Sequence, residues 1–313
     1  MKNILIVGGA GYVGGYLTDL LTREDNLNIR VYDNLLYEYQ YMKEVDFIFG
    51  DVRDYSKIND QLKWADIVIW LSAIVGDGAC EVDRNLTIDV NLNSVKNLIK
   101  SYDRKIIFLS TCSIYGAQDG ILIEESEKSP LSLYAETKLL CEQLMSNKNA
   151  TIFRLGTLFG LGDKFSRIRM DLVLNAIVSK SILENKINIY GGGQYRPLLH
   201  VKDVAYGILS SIKKENVNGV FNLHHENIKI IDLAKKVVNR HPNTILNIVD
   251  QEFRDTRNYR VNSEKAIKEL DFKTKFDIDF GIEEISNLII NNKIKDINDP
   301  RYTNAVFLRN KNA

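Results

Sequence analysis

The stretch Ile4-Leu-Ile-Val-Gly-Gly-Ala-Gly-Tyr-Val-Gly-Gly-Tyr-Leu-Thr-Asp-Leu-Leu21 changes its period halfway. Ile4 to Val7 is a short, β-branched apolar run closed by glycine, the pattern of a buried parallel strand. From about Tyr12 the pattern turns helical, with Leu17, Leu20 and Leu21 falling on one face. Between the two lie Gly8, Gly11 and Gly14 in G-x-x-G-x-x-G spacing. Strand, glycine turn and helix in this order leave the first N–H groups of the helix facing an anion, which is what a dinucleotide diphosphate requires. Gly8, Gly11, Tyr12, Val13 and Gly14 are therefore the first candidates for cofactor contact. A lone glycine motif is weak, so the assignment rests on the strands and helices beyond Leu21.

A second strand, Ile29 to Tyr32, ends in Asp33. An acidic residue there would accept hydrogen bonds from an adenosine ribose and repel a 2′-phosphate, which selects NAD over NADP; otherwise Asp33 is a turn residue before Asn34. The alternation continues. Phe47 to Phe49 leads into Asp51 and Val52, Ile67 to Leu71 into Ser72 and Ala73, and Ile106 to Leu109 into Ser-Thr111-Cys-Ser-Ile-Tyr-Gly. Thr151 to Leu155 leads into Gly156-Thr157-Leu-Phe-Gly160, and Val90 to Ile99 has helical period. Strands alternating with helices specify an α/β fold with a Rossmann-type doubly wound parallel sheet. Ligands of such sheets sit beyond the carboxyl ends of the strands. That places Asp33, Asn34, Asp51, Val52, Leu71, Ser72 and Ala73 on the cofactor, and Thr111 nearby. Past Thr157 the alternation loosens, as expected of a smaller C-terminal α/β substrate lobe. The expected division is 1–156 plus about 196–223 for the NAD-binding domain, and about 157–195 plus 224–313 for the lobe. The polar stretch 298–313 either wraps over the body or is loose.

Composition excludes several classes. The 313 residues carry 41 basic and 41 acidic side chains, a formal net charge of zero. Nothing in that balance points to nucleic acid or an anionic membrane, so phosphate must be held locally. Cys80, Cys112 and Cys141 are odd in number and lack C-x-x-C spacing, which reads as reduced thiols in a cytoplasmic protein without a metal cluster. The opening apolar run stops at Gly8, short of a signal-peptide core, and the sequence has no apolar run of the roughly 18 residues that would span a bilayer. His224, His225 and His241 show no metal-ligand spacing, and His200 reads as structural.

The stretch Ser132-Leu-Tyr-Ala-Glu-Thr-Lys138 places Tyr134 and Lys138 four residues apart at the start of a helix. Residues i and i+4 share a face, so both can address one ligand. A phenol titrates near ~10, and a fixed ammonium beside it favours the phenolate. A lowering of about 3 units corresponds to about 4 kcal/mol, within reach of one partly desolvated cation.

Taken in order, GGAGYVG, Asp33, GDVRD, LSTCSIYG, YAETK, RLGTLFG, GGGQYRPLLHVKDVA, GVFNL and DTRNYRV resemble the extended short-chain dehydrogenases/reductases that act on nucleotide sugars, across nearly the whole chain. The resemblance implies NAD as cofactor, Tyr134 as catalytic base, Lys138 as the group that lowers its pKa and bonds the nicotinamide ribose, and Thr111 as the group that orients the sugar hydroxyl. Nucleotide-sugar 4,6-dehydratases carry Asp-Glu directly after this threonine, where this chain has Cys112-Ser113. Relatives that epimerise at C3 or C5 place cysteine at the position of Ser113. Chemistry at C4 remains, as net oxidation or as 4-epimerisation; a non-catalytic NAD-sensing regulator is the remote alternative. Arg196 matches an arginine on the substrate pyrophosphate, and Arg257, close to Asp255, reads as a second clamp; either is otherwise a surface ion-pair partner. The segment SRIRMDLVLN, 166–175, would bring Arg169 or Asn175 to the sugar nucleotide, with Met170, Leu172 and Leu174 in the core, and Thr157 joins this substrate set. The loop AIVGDGAC, 73–80, either covers sugar and nicotinamide or serves a tight turn. Together with SRIRMDLVLN it resembles a subgroup, the GDP-heptose 4-dehydrogenases of bacterial capsule synthesis; UDP-sugar 4-epimerases are the alternative. Relatives pair helices into a homodimer, here the segments near 88–100 and 134–147.

Overall fold

The computed structural model describes residues 1–163, 165–249 and 257–312. The β-branched runs form the strands β1 (Lys2–Val7), β2 (Leu27–Asp33), β3 (Asp46–Phe49), β4 (Ile67–Trp70) and β5 (Lys105–Thr111). They are followed by β6 (Ala117–Leu122), β7 (Ala150–Leu155), β8 (Thr157–Phe159), β9 (Lys186–Tyr190), β10 (Tyr195–His200) and β11 (Gly219–Leu223). Seven of them make one parallel sheet in the order β11-β7-β5-β4-β1-β2-β3. The order reverses between β1 and β4, and the crevice at such a switch point is where an open α/β sheet binds ligands.

Both faces of this sheet are covered, which is why its strands read as continuous apolar runs. Ile4 and Ile6 of β1 pack with Leu17 and Leu21 of α1 (Tyr12–Leu21) and with Val204 and Ile208 of the helix Val201–Lys213. Leu5 and Val7 point the other way, onto Ile58 and Leu62 of α2 (Tyr55–Trp64). Strand alternation thus divides the interior into two cores on either side of one layer.

After β4 comes α3 (Asp77–Cys80), entered at Gly76, whose φ of +98° favours glycine and satisfies the tight-turn reading of the 73–80 loop. The helix expected over 90–99 is longer. It starts as α4 (Arg84–Ile88), capped by the Asp83 carboxylate, passes through a wide π-turn at Asp89–Asn93 and ends as α5 (Ser94–Ser101). The π-turn coincides with Asn91, whose carboxamide accepts from Ile74 N (2.8 Å) and donates to Ile74 O (3.0 Å). The local bulge therefore anchors the start of the 73–80 loop. Tyr134 and Lys138 lie on α6 (Leu133–Leu144), whose N-terminus is capped by the Ser132 hydroxyl.

The smaller α/β part contains a three-stranded sheet of β8, β10 and the strand Glu226–Lys229, and it has its own apolar core with Phe159, Leu198 and Ile282. The polar C-terminal stretch wraps over the body: Asn304–Asn312 is helical and packs against α3, and Leu308 is buried in the core on the α2 side of the sheet. Among the described residues no helix is long and apolar enough to cross a membrane, and no group of three His, Cys, Asp or Glu side chains is placed to hold a metal.

Candidate functional site

A cavity of about 510 Å³ opens at the switch point, lined by the glycine turn, the ends of β2 and β4, and one face of α6. Gly8 closes its floor. Its φ is +84°, and a Cβ there would lie 2.5 Å from Ser72 N, so the turn and the end of β4 meet only because glycine is present. A Cβ on Gly14 would lie 2.4 Å from Gly9 O, which explains the third glycine of the motif. Gly11 caps α1 with no side-chain hydrogen bond, leaving first-turn N–H groups for an anion. Tyr12 turns its hydroxyl to Gly160 O (2.6 Å), so its backbone N–H is what it offers a ligand.

Asp33 ends β2 at the cavity wall. Its carboxylate accepts from Ala10 N (3.0 Å) and Leu35 N (2.7 Å), and burial pushes its pKa up against those bonds. Asp51 is held down, to about 2, by Arg53, and also accepts from the Asn34 amide (3.0 Å). Asn34, Val52, Leu71, Ser72 and Ala73 line the same space, as do Tyr134 and Lys138. The glycine cradle, the buried carboxylate at the end of β2 and the helix N-terminus fit NAD.

Lys138 is buried, donates to Leu109 O (2.7 Å) and lies 4.6 Å from the centre of the Phe108 ring. Burial pushes its pKa down to about 8. The expected lowering of Tyr134 is reversed in the protein by itself: burial pushes the phenol up, Cys80 and Asp77 add to the rise, and Arg169 opposes it. Desolvation of a phenolate in this wall outweighs one buried ammonium whose hydrogen bond goes to a carbonyl.

Thr111 does not line the cavity. It ends β5, buried, with its hydroxyl accepting from Ser113 N (3.1 Å). Cys112 is fully buried with its thiol on Arg154 O (3.3 Å), and burial pushes that thiol up. Ser113 Oγ lies 3.3 Å from the Tyr259 hydroxyl.

The substrate candidates separate. Arg196 and Arg257 come together, with an Arg196 amino group donating to Arg257 O (2.5 Å). Arg257 in turn pairs with Asp77 (3.0 Å) and reaches Ser113 Oγ at 3.4 Å. Asp77 also accepts from the Ser132 hydroxyl (2.7 Å), which ties this cluster to the cap of α6, two residues before Tyr134. Asp255 lies outside the described residues. Arg169 lines the cavity, where Asp171 grips it at 2.9 and 3.0 Å and holds it charged against burial. Asn175 is not brought there: it is fully buried, and its carboxamide is engaged by Gly160 N (3.0 Å) and Arg169 O (2.7 Å). Thr157 begins β8, in register with Leu198 of the small sheet, and does not line the cavity.

Sequence reasoning missed Arg167, Tyr37 and the C-terminal residues Asn304, Leu308 and Lys311, all of which line the cavity. The one available signal was Leu308, an apolar residue with helical neighbours in a polar tail.

Residues 4–223 match the NAD dependent epimerase/dehydratase family. The chain is 26% identical over a 345-residue alignment to the bifunctional polymyxin resistance protein ArnA of Wigglesworthia glossinidia brevipalpis, covering 93% of this chain and 52% of that protein. It is 34% identical over 156 residues to a UDP-glucose 4-epimerase of Rhizobium meliloti, 47% of each. The fold matches the crystal structure of UDP-glucuronic acid 4-epimerase from Bacillus cereus in complex with UDP-glucuronic acid and NAD, with a TM-score of 0.80, 22% identity, and coverage of 93% of this chain and 99% of that one.

Proposed function

Since the chain belongs to the NAD-dependent epimerase/dehydratase family, we propose that it oxidises C4 of a nucleotide-linked sugar, with GDP-D-glycero-α-D-manno-heptose as substrate and its 4-keto form as product. The observation that carries this reading is the pair of positions after Thr111. Cys112 is sealed in the interior and Ser113 faces Tyr259, so neither supplies the acid and base that 4,6-dehydration needs.

In this reading Tyr134 takes the proton of the C4 hydroxyl. NAD, when bound, supplies the hydride acceptor and a positive ring whose field favours the phenolate that burial alone disfavours. Lys138 adds a second positive charge from the same face of α6; Thr111 joins them only by donating its own hydroxyl proton, since its oxygen already accepts from Ser113 N and it stands outside the cavity lining. Arg196 and Arg257 meet the pyrophosphate, with Asp77 as the carboxylate that a phosphate would displace from Arg257. The part formed by 157–195 and 224–313 takes the nucleotide.

A second reading, a UDP-sugar 4-epimerase, is favoured by the Rhizobium meliloti relative and uses the same Tyr134, Lys138 and Thr111. The two differ in the fate of the hydride. Purified protein is mixed with GDP-, UDP- and dTDP-sugars while the near-ultraviolet band of reduced nicotinamide is monitored. A band that grows and persists with the GDP-heptose supports net oxidation. Inversion at C4 with no lasting band supports the epimerase, and no change with any sugar overturns both.

The same reading includes a homodimer through the helices near 88–100 and 134–147, supported by Leu140 and Leu144, which are 44% and 38% exposed one turn apart on α6. Light scattering that finds only monomer removes that part. It also includes a cytoplasmic location, supported by three free, buried cysteines and checked by cell fractionation.

A further inference from the structure

Arg167 has no role in the proposed oxidation at C4, yet its environment demands an anion. The residue is 6% exposed, and its guanidinium lies 3.6 Å from the centre of the Tyr37 ring. One amino group donates to Arg301 O (2.8 Å) and to the Asn304 side-chain oxygen (2.6 Å). Its Nε is buried with no hydrogen-bond partner. The neighbouring arginines are neutralised, Arg169 by Asp171 and Arg301 by Asp299, while Arg167 takes part in no ion pair among the described residues. Burial and the nearby Arg169 push its pKa down to about 10, against the pull of Tyr37, Asp171 and Glu38, none of which forms a direct ion pair with it. A buried charge left unpaired is strongly destabilising, and a chain retains one where a ligand brings the opposite charge.

The position names the ligand. Arg167 lines the same cavity as Gly11, Tyr12 and Asp33. Ser166 before it packs on the first turns of α1 so closely that a Cβ on Gly15 would lie 2.6 Å from Ser166 Cβ. Two positive features, a helix N-terminus without a side-chain cap and a guanidinium without a direct ion pair, therefore share one space. Asp33, at the ribose end, disfavours a further phosphate there, which leaves the diphosphate bridge as the anion for both.

We propose that Arg167 binds the diphosphate of NAD through the edge of its guanidinium that lines the cavity, as a second contact beside the glycine turn, and that the C-terminal segment 301–304 holds the guanidinium in place. Asn304 joins the two sides of the arrangement, because its amide also donates to Val75 O (2.7 Å) at the end of the cavity nearer the 73–80 loop. The inference rests on NAD as cofactor and not on the identity of the sugar.

Calorimetry with ADP-ribose and with adenosine, no sugar present, tests it on the unmodified protein and on Arg167→Met. A lost hydrogen bond to a charged group weakens binding by about 10- to 100-fold, and that loss is expected for ADP-ribose while adenosine changes by less than about 2-fold. Equal losses for both ligands, or none for either, overturn the proposal. An Arg167 that only supports the fold would lower the melting temperature of the protein alone and leave the ADP-ribose affinity intact, which also overturns it. If Arg167→Met does not fold, Arg167→Lys and Asn304→Ala decide: severalfold weaker ADP-ribose binding in both supports the role, and unchanged binding in both refutes it. Failure of the unmodified protein to bind ADP-ribose at all removes the NAD reading together with this inference.

Discussion

Replacing Lys138 by methionine should make the protein alone more stable at neutral pH while ending its activity. Lys138 is 3% exposed, and its ammonium donates to one carbonyl, Leu109 O. Burial pulls its pKa from 10.5 to about 8. At about 1.4 kcal/mol per unit, the charged form at pH 7 costs roughly 3 kcal/mol of folding stability. Against that stands the lost hydrogen bond at Leu109 O, worth about 1 kcal/mol, while methionine fills a similar volume with a flexible apolar chain. The expected gain is therefore roughly 2 kcal/mol at pH 7. The sign of the shift sets its pH dependence. Below pH 8 the lysine is protonated in both folded and unfolded chains, and the cost is present in full. Between pH 8 and 10.5 the unfolded chain binds more protons, so the stability of the unmodified protein rises with pH and the advantage of the variant fades. Urea unfolding of both proteins at pH 7 and pH 10 reads the difference directly, since every other titrating group is common to the two. A variant less stable than its parent at pH 7, or a difference that does not change with pH, would refute the account of Lys138 as a buried cation retained for function.

Tyr134→Phe should bind NADH within about 2-fold of the unmodified protein and turn over about 10²- to 10⁴-fold more slowly, the usual share of a positioned acid or base; near-full activity would sink the role of the phenol. Gly14→Ala puts a methyl 2.4 Å from Gly9 O and 2.5 Å from Gly9 Cα, backbone atoms that cannot swing aside. It should cost about 1–3 kcal/mol in urea unfolding, and NADH titration that finds unchanged affinity would break the link between the glycine turn and the cofactor. Cys112→Ala should leave turnover within a few-fold of the parent, because the thiol is sealed against Arg154 O; a loss comparable to that of Tyr134→Phe would restore Cys112 as an acid or base and reopen dehydration.

What could be read from the sequence is what repeats or is local. The seven-stranded sheet was legible because both its faces are buried, so β1, β4 and β5 carry unbroken apolar runs, and the glycine turn was legible because Gly8, Gly11 and Gly14 fall within seven residues, although the clash that Gly8 avoids is with Ser72, far along the chain. Tyr134 and Lys138 were legible because a helix converts a spacing of four into a shared face. Where no period governs the backbone, the same reasoning had nothing to choose with. The 166–175 segment lies mostly outside regular structure, so sequence could not tell that Arg167 and Arg169 line the cavity while Asn175 turns inward to Gly160. Thr111 was placed after its strand, but β5 runs through it and its hydroxyl is taken by the backbone two residues on. Solvation was the least accessible property of all. The spacing of Tyr134 and Lys138 implies a lowered phenol, yet the sign of the shift is set by how much water the completed wall excludes, and that wall includes residues far along the chain. Asn304, 229 positions from the Val75 carbonyl to which it donates, is one of them. The charge state of the site thus depends on burial and on groups such as Cys80, Asp77 and Arg169 outside the motif, and five residues of α6 carry no trace of them.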